Sequence, residues 1–188
     1  MQKIPTLFLR GDHFRVTEQV HPNCQWVLDG EGRATRKWDG TACLVRAGWL
    51  YKRYESRPDA VPPVDSLPAE PGPDPVSKRW LLWLPVGDGP EDRWHQEAWS
   101  LALQTQGPLQ DGTYELCGPK VQSNPEQFVC HTLIPHGALE LPEAPRTYAL
   151  LAAYLSSVQI EGIVWHHEDG RMCKVKRRDF GLAWPLRG

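Results

Sequence analysis

Along residues 42–54, ACLVRAGWLYKRY, apolar and polar positions fall into two short runs broken at Ala47-Gly48. That pattern predicts two strands joined by a tight turn. From residue 92 to residue 104 the rhythm changes, with Trp94, Ala98 and Leu101 recurring at helical spacing. Glu91 and Asp92 suit the positive end of that helix, and Gly107-Pro108 stops it. Residues 113–117 read as a short strand. Residues 146–158, RTYALLAAYLSSV, predict a second helix with Tyr148, Leu151, Leu155 and Val158 on one face and Pro145 ahead of its first turn. IEGIVWHH and RMCKVKRR then read as two strands around Glu168-Asp169-Gly170, where Asp-Gly is a hairpin signal. The sum is an α+β fold built on antiparallel hairpins.

One stretch does not fit any element. Residues 58–76 hold seven of the 18 prolines together with Asp59, Asp65, Glu70 and Asp74 and no base. Proline at that density excludes a helix or a central strand and predicts an extended loop or insertion. The 57 residues ahead of it are few for a core of their own, so one domain over residues 1–188 is expected. The chain is 40% hydrophobic and 23% charged with net charge −2, an ordinary globular composition. It has no apolar run long enough to span a membrane, and the start, MQKIPTLFLRGDHF, is too quickly charged for a signal peptide. Five scattered cysteines without a C-x-x-C pair speak against a disulfide scaffold or zinc ribbon and for a reducing, cytoplasmic location. No membrane partner is expected, and a monomer is.

Charge matters locally. Arg171, Lys174, Lys176, Arg177 and Arg178 crowd together, and in a strand Lys174 and Lys176 point to the same face. Two ammonium groups side by side suit a phosphate between them, although a charged edge strand would show the same run. Upstream stands Lys37-Trp38-Asp39-Gly40-Thr41, which in isolation is also compatible with a plain turn. Its company changes the reading: Glu115 in TYELCG, Glu161 in IEGIV and Lys174 in CKVK follow in order.

The succession K-x-D-G, strand glutamate, E-G-I-V and K-x-K resembles the covalent nucleotidyltransferase superfamily of polynucleotide ligases and capping enzymes. Further segments, ELCGPKVQSNP at 115–125, LIPHG at 133–137, EGIVWHHEDG at 161–170 and GLAWP at 181–185, are similar to the RNA ligase family that includes the vertebrate cytosolic 5′-to-3′ RNA ligase. The likeness runs from about Thr35 to Pro185, and Arg36 stands where that family often carries an acid. It implies an antiparallel-sheet nucleotidyltransferase core, adenylyltransferase and ATP-grasp-like. With the chain ending soon after Lys176, an OB domain at the C-terminus is not expected.

The resemblance also implies roles. Lys37 would be the nucleophile that takes AMP from ATP, with Lys174 and Lys176 on the α-phosphate. A lysine near its ordinary pKa of about 10.4 is protonated and inert, so neighbouring cations such as Arg36, Lys174 and Lys176 and partial burial would have to free the amine. Thr35, Asp39, Gly40, Arg53, Glu115 and His131 complete the implied nucleotide site, Arg57 being the weaker claimant to the role of Arg53. Glu161, Asp39 and Glu115 would hold Mg²⁺ or Mn²⁺, or Glu115 would bond the ribose instead. The implied partner is RNA bearing 5′-phosphate and 3′-hydroxyl ends.

Other residues carry less. Adjacent strand positions turn His166 and His167 to opposite faces, against a shared metal. His131 or His136 could lie over the adenine, or serve the core. Trp26, Trp80 and Trp83 sit in apolar stretches, as core residues do, and Cys43 and Cys117 have no base beside them in sequence. The competing functions are a DNA ligase or mRNA guanylyltransferase, which usually carry the missing OB domain, and a non-catalytic nucleotide- or RNA-binding module. The module would be favoured by loss of Lys37, Glu161 or Lys174, and all three are present.

Overall fold

A computed structural model describes residues 4–185. The described chain divides into two compact units: Asp39–His136 form one, and the segments before and after it form the other. The division is possible because each sheet has its own apolar cluster to bury.

The unit made of the two terminal segments is built on a three-stranded antiparallel sheet of β3 (Arg33–Lys37), β10 (Gly162–His166) and β11 (Met172–Lys176), in the order β11-β10-β3. Strand alternation divides its residues cleanly. Ala34, Ile163, Trp165, Cys173 and Val175 are buried in one cluster with Leu151 and Leu155 of helix α3 (Tyr148–Ser157). Each fully buried leucine contributes about 1.5–3 kcal/mol to that packing. Thr35, Lys37, Lys174 and Lys176 take the alternate positions. The helix is shorter than the predicted 146–158 because Thr147 and Val158 are extended. A hairpin of β1 (Phe8–Arg10) and β2 (Val16–Val20) and a single turn, α1 (Gln25–Leu28), complete the unit. Just before β1 the chain lies along β11: Leu7 N–H donates to Lys174 O at 2.8 Å, and Lys174 N–H to Pro5 O at 3.0 Å.

The other unit is a six-stranded antiparallel sheet in the order β6-β7-β5-β4-β8-β9. Its strands are β4 (Thr41–Arg46), β5 (Trp49–Glu55), β6 (Leu67–Pro68), β7 (Leu81–Pro85), β8 (Gly112–Cys117) and β9 (Thr132–Pro135). The predicted hairpin is β4-β5, and both residues of its turn, Ala47 and Gly48, have the positive φ a two-residue loop requires (51° and 79°). Helix α2 (Arg93–Gln106) buries Ala98 and Ala102, while Trp94 and Leu101 are only half-buried. The proline-rich stretch is not all loop. Leu67–Pro68 adds an edge strand to β7, Ala69 is buried, and the Trp80 indole donates to Glu70 O at 2.9 Å. An edge position is where proline is tolerated, since one side of the strand needs no donor. No described helix is long and apolar enough to cross a membrane.

Candidate active site

The chemistry concentrates on one face of the three-stranded sheet. Register places Gly162 opposite Lys37 on one side and Lys176 on the other, so the residue just before it, Glu161, lies within reach of both lysines. Its carboxylate is 5% exposed and takes Lys37 Nζ at 2.5 Å on Oε2 and Lys176 Nζ at 2.7 Å on Oε1. Lys37 also donates to Trp38 O at 3.2 Å. The glycine is required: a Cβ at position 162 would collide with the backbone of Val175 and Lys176. The E-G pair is thus one device, a carboxylate beside the position that lets two lysine strands close in.

Lys174 sits two residues along the same face, opposite Val164. Burial, and then the ammonium groups of Lys176 and Lys37, pull its pKa down to about 8, against the opposing pull of Glu161 and Asp179. Arg36, expected among these cations, occupies the alternate strand position; its guanidinium lies 3.9 Å from the centre of the Trp38 ring and donates to Gln159 O. The cations beside Lys37 are Lys176 and Lys174. A residue the sequence reading missed completes the cluster: Asp179 is buried after β11, accepts Lys176 N–H at 2.8 Å and pairs with Arg10 at 3.6 Å. Arg10, Lys37, Lys174 and Lys176 thus gather around the carboxylates of Glu161 and Asp179. Thr35, on the same strand, is 1% exposed, and its hydroxyl donates to Val164 O at 3.1 Å and meets His166 Nε2 at 3.0 Å. Its side chain is committed to the sheet.

The remaining predicted site residues lie in the other unit and form a cluster of their own. Glu115, nearly buried on β8, accepts Gly40 N–H at 3.0 Å on Oε1 and meets His136 Nε2 at 2.8 Å on Oε2. Gly40 is pressed against the Leu116 carbonyl, leaving no room for a Cβ. Asp39 N–H is held by Glu126 at 3.0 Å. His131 is buried, pairs with Glu97 at 2.8 Å and stacks on Trp94 with ring centres 4.7 Å apart. Its ring thus already has a π-partner. Arg53 is half-buried on β5 opposite Trp83, whereas Arg57 is exposed beyond the strand.

The three carboxylates expected to share a metal are therefore divided, Glu161 in one unit and Asp39 and Glu115 in the other. Among the described residues no group of three or more His, Cys, Asp or Glu is placed to hold a metal ion. Glu161 is an oxygen donor of the kind Mg²⁺ prefers, but both its oxygens are engaged by ammonium groups. His166 and His167 go separate ways, His166 to Thr35 and His167 to Glu31 at 2.6 Å and Asp169 at 2.9 Å. Cys43 and Cys117 are buried, and burial together with the Glu115 charge drives the Cys43 thiol far above its ordinary value, away from the thiolate a nucleophile needs.

This combination of E-G and K-x-K strands sits in a stretch that has known relatives. A family model for RNA ligase 1 matches residues 92–188. The chain belongs to the RNA ligase 1 family. RNA ligase 1 of Danio rerio is 34% identical over 87 residues, and that of Rattus norvegicus 39% over 87 residues. Each match covers 42% of this chain and 27% of the relative, so the chain spans about a quarter of the length of the curated relatives it matches. Within this RNA ligase 1 stretch fall Glu115, His131, His136, Glu161, Lys174, Lys176 and Asp179; Lys37, Asp39, Gly40 and Arg53 precede it.

Proposed function

We propose that this chain carries the nucleotidyltransferase chemistry of an ATP-dependent RNA ligase, with Lys37 as the residue that receives AMP. The observation that supports this is the strand register that sets Lys37, Glu161 and Lys176 together, with Lys174 beside them. In the proposed first step Lys37 Nζ forms a bond to the α-phosphorus of ATP, the bond to the bridging oxygen breaks, and pyrophosphate leaves. The lysine must shed a proton to attack, and Glu161 Oε2, already hydrogen-bonded to Nζ, is the acceptor in reach. Lys174 and Lys176 stabilise the charge that grows on the α-phosphate, the main task in phosphoryl-type transfer. AMP then passes from Lys37 to the 5′-phosphate of RNA, and an RNA 3′-hydroxyl displaces it to seal the strand.

Mg²⁺ or Mn²⁺ belongs to this reading: held by Glu161, it would neutralise charge on the departing pyrophosphate. Asp39 and Glu115 are carboxylates of the same kind carried by the other unit. A ribose contact by Glu115 would replace its bond to Gly40 or to His136. The closeness of Lys174 and Lys176 to Lys37 suits an anionic ligand and supports the choice of a nucleotide over a neutral one.

The test is incubation with α-labelled ATP or α-labelled GTP and Mg²⁺, then denaturing electrophoresis. Label from ATP that survives denaturation is expected. Label from GTP alone would point to guanylyltransferase chemistry, and label from neither would leave a binding module. Sealing of matched strands with ribose or deoxyribose at the 3′-terminal nucleotides then tests the RNA assignment, since a 2′-hydroxyl is what distinguishes the two.

A further inference from the structure

The turn that follows β11 is fixed more tightly than a connector needs. Residues Arg177–Phe180 make one short 3-10 turn, ended by Gly181 in the left-handed region (φ 74°). Arg177 is buried and spends its guanidinium on the carbonyls of Leu155, Val158 (2.6 Å) and Ala183 (2.9 Å), closing the end of α3. Its amide donates to Glu161 O at 2.8 Å. One residue earlier, the Lys176 amide is held by Asp179 Oδ2 at 2.8 Å. The same turn therefore anchors the backbone of Glu161 and the backbone of Lys176, whose side chains form the ion pair above.

The charge on Asp179 is the informative part. An asparagine would accept the same amide bond without the cost of burying a carboxylate, which runs to several kcal/mol for an isolated ion. Burial raises the pKa of Asp179 above the ordinary carboxylate value, against the smaller opposing pull of the Lys176 amide, Arg10, Lys176 and Lys174. Arg10 is half-exposed and 3.6 Å away, a modest partner for so buried a group. The two lysines of K-x-K add to that pull. In return the carboxylate favours the charged form of Lys174.

We infer that Asp179 is a positioning residue for the adenylation proposed above: it fixes the strand end that carries Lys176 and supplies the counter-charge that lets Lys174 and Lys176 stand together as cations. The inference rests on that reading of the site. Asp179 contacts no reacting atom; it acts through the two lysines. Because those lysines serve the transition state, losing their counter-charge lowers the rate at saturating ATP more than it raises the KM.

The experiment compares wild-type chain, Asp179→Asn and Asp179→Glu by single-turnover transfer from α-labelled ATP over a range of ATP concentrations, with thermal melts of each. Asp179→Asn keeps the amide acceptor and the volume, and is expected to melt no lower than wild type yet to transfer AMP about 10-fold more slowly, on the scale of weakening one electrostatic stabiliser, with KM changed less. Asp179→Glu keeps the charge and is expected to be the faster of the two variants, although asparagine is the closer match in shape. Wild-type transfer rates in Asp179→Asn would overturn the inference and leave the lysyl-AMP reading standing. Rates that follow melting temperature in both variants would also overturn it, because a structural cap predicts that. A wild-type chain that takes up no label would remove both.

Discussion

In the unit formed by Asp39–His136, several charged or titratable groups drawn into the interior are held in one-to-one pairs. Lys52 pairs with Asp92, His131 with Glu97 and His136 with Glu115. In the unit formed by the chain ends, Glu161 is shared by two ammonium groups, and Lys174 lies close to like charges under partial burial. The pairs of the first unit are what a stable fold makes of buried charge. In the second, like charges are gathered on one strand face around a shared carboxylate. Groups perturbed in this way cluster at functional sites.

The comparison breaks most sharply on activity. Glu161→Ala and Lys174→Ala are each expected to cut AMP transfer at least ~10²-fold, the scale of removing one stabiliser of phosphoryl transfer. Glu161→Ala also removes the carboxylate that two ammonium groups share and is expected to lower stability, measured by denaturant unfolding. Lys174→Met should do the opposite to stability, raising the melting temperature at neutral pH while abolishing transfer, because it removes a disfavoured charge.

The reverse pattern is expected across the other unit. Lys52→Ala leaves the buried Asp92 without its ammonium partner and is expected to lower stability by about 3 kcal/mol, with little change in AMP transfer by the folded protein. Equal loss of activity in Lys52→Ala and Lys174→Ala would erase the distinction between the two units.

A smaller effect separates the units by pH. Lys174 must be charged to stabilise phosphate, and its pKa lies at about 8, so AMP transfer is expected to decline as pH rises through that value. Lys174→Arg, which stays protonated, should extend the alkaline side of the profile. The stability linkage has the opposite sign. Between about 8 and the model-peptide value of 10.5, the unfolded chain binds the Lys174 proton and the folded chain does not. Stability from this group therefore increases with pH across that window, and Lys174→Met should flatten the increase.

The proline-rich stretch gives the smallest effect. Val61 and Val64 are almost fully exposed, while Leu67–Pro68 pairs with β7. Replacing residues 58–66 by a short Gly/Ser linker is expected to leave both the melting temperature and AMP transfer unchanged; extending the replacement through residue 70 should lower the melting temperature by exposing the edge of β7.

The parts of this molecule legible in the sequence are those where one periodicity or one turn decides. The Ala47-Gly48 and Asp169-Gly170 hairpins and helix α3 follow from local pattern, and so does the shared face of Lys174 and Lys176. The segments Phe8–Arg10 and Val16–Val20 have no such clear alternation; they pair with each other, and the chain just before them is held by Lys174. Two separate cores could not be read from composition, because the sheets draw their apolar residues from interleaved stretches of chain. At the site, the motif residues Lys37, Glu161, Lys174 and Lys176 came together, whereas Asp39 and Glu115 belong to the other unit. Asp179 was missed because a lone acid inside Arg177-Arg178-Asp179-Phe180 looks like surface charge. Its only sequence sign is that it follows five closely spaced bases beside an aromatic, where a buried counter-ion has reason to be.

The central proposal is that Lys37, set beside Glu161, Lys174 and Lys176, is the amine that receives AMP. Peptide mapping by mass spectrometry of the chain after incubation with ATP and Mg²⁺ tests it most directly. The account predicts a single AMP adduct, carried through a phosphoramide bond on the peptide containing Lys37 and absent from a folded Lys37→Ala variant. An adduct on another residue, or one that persists in Lys37→Ala, would contradict it.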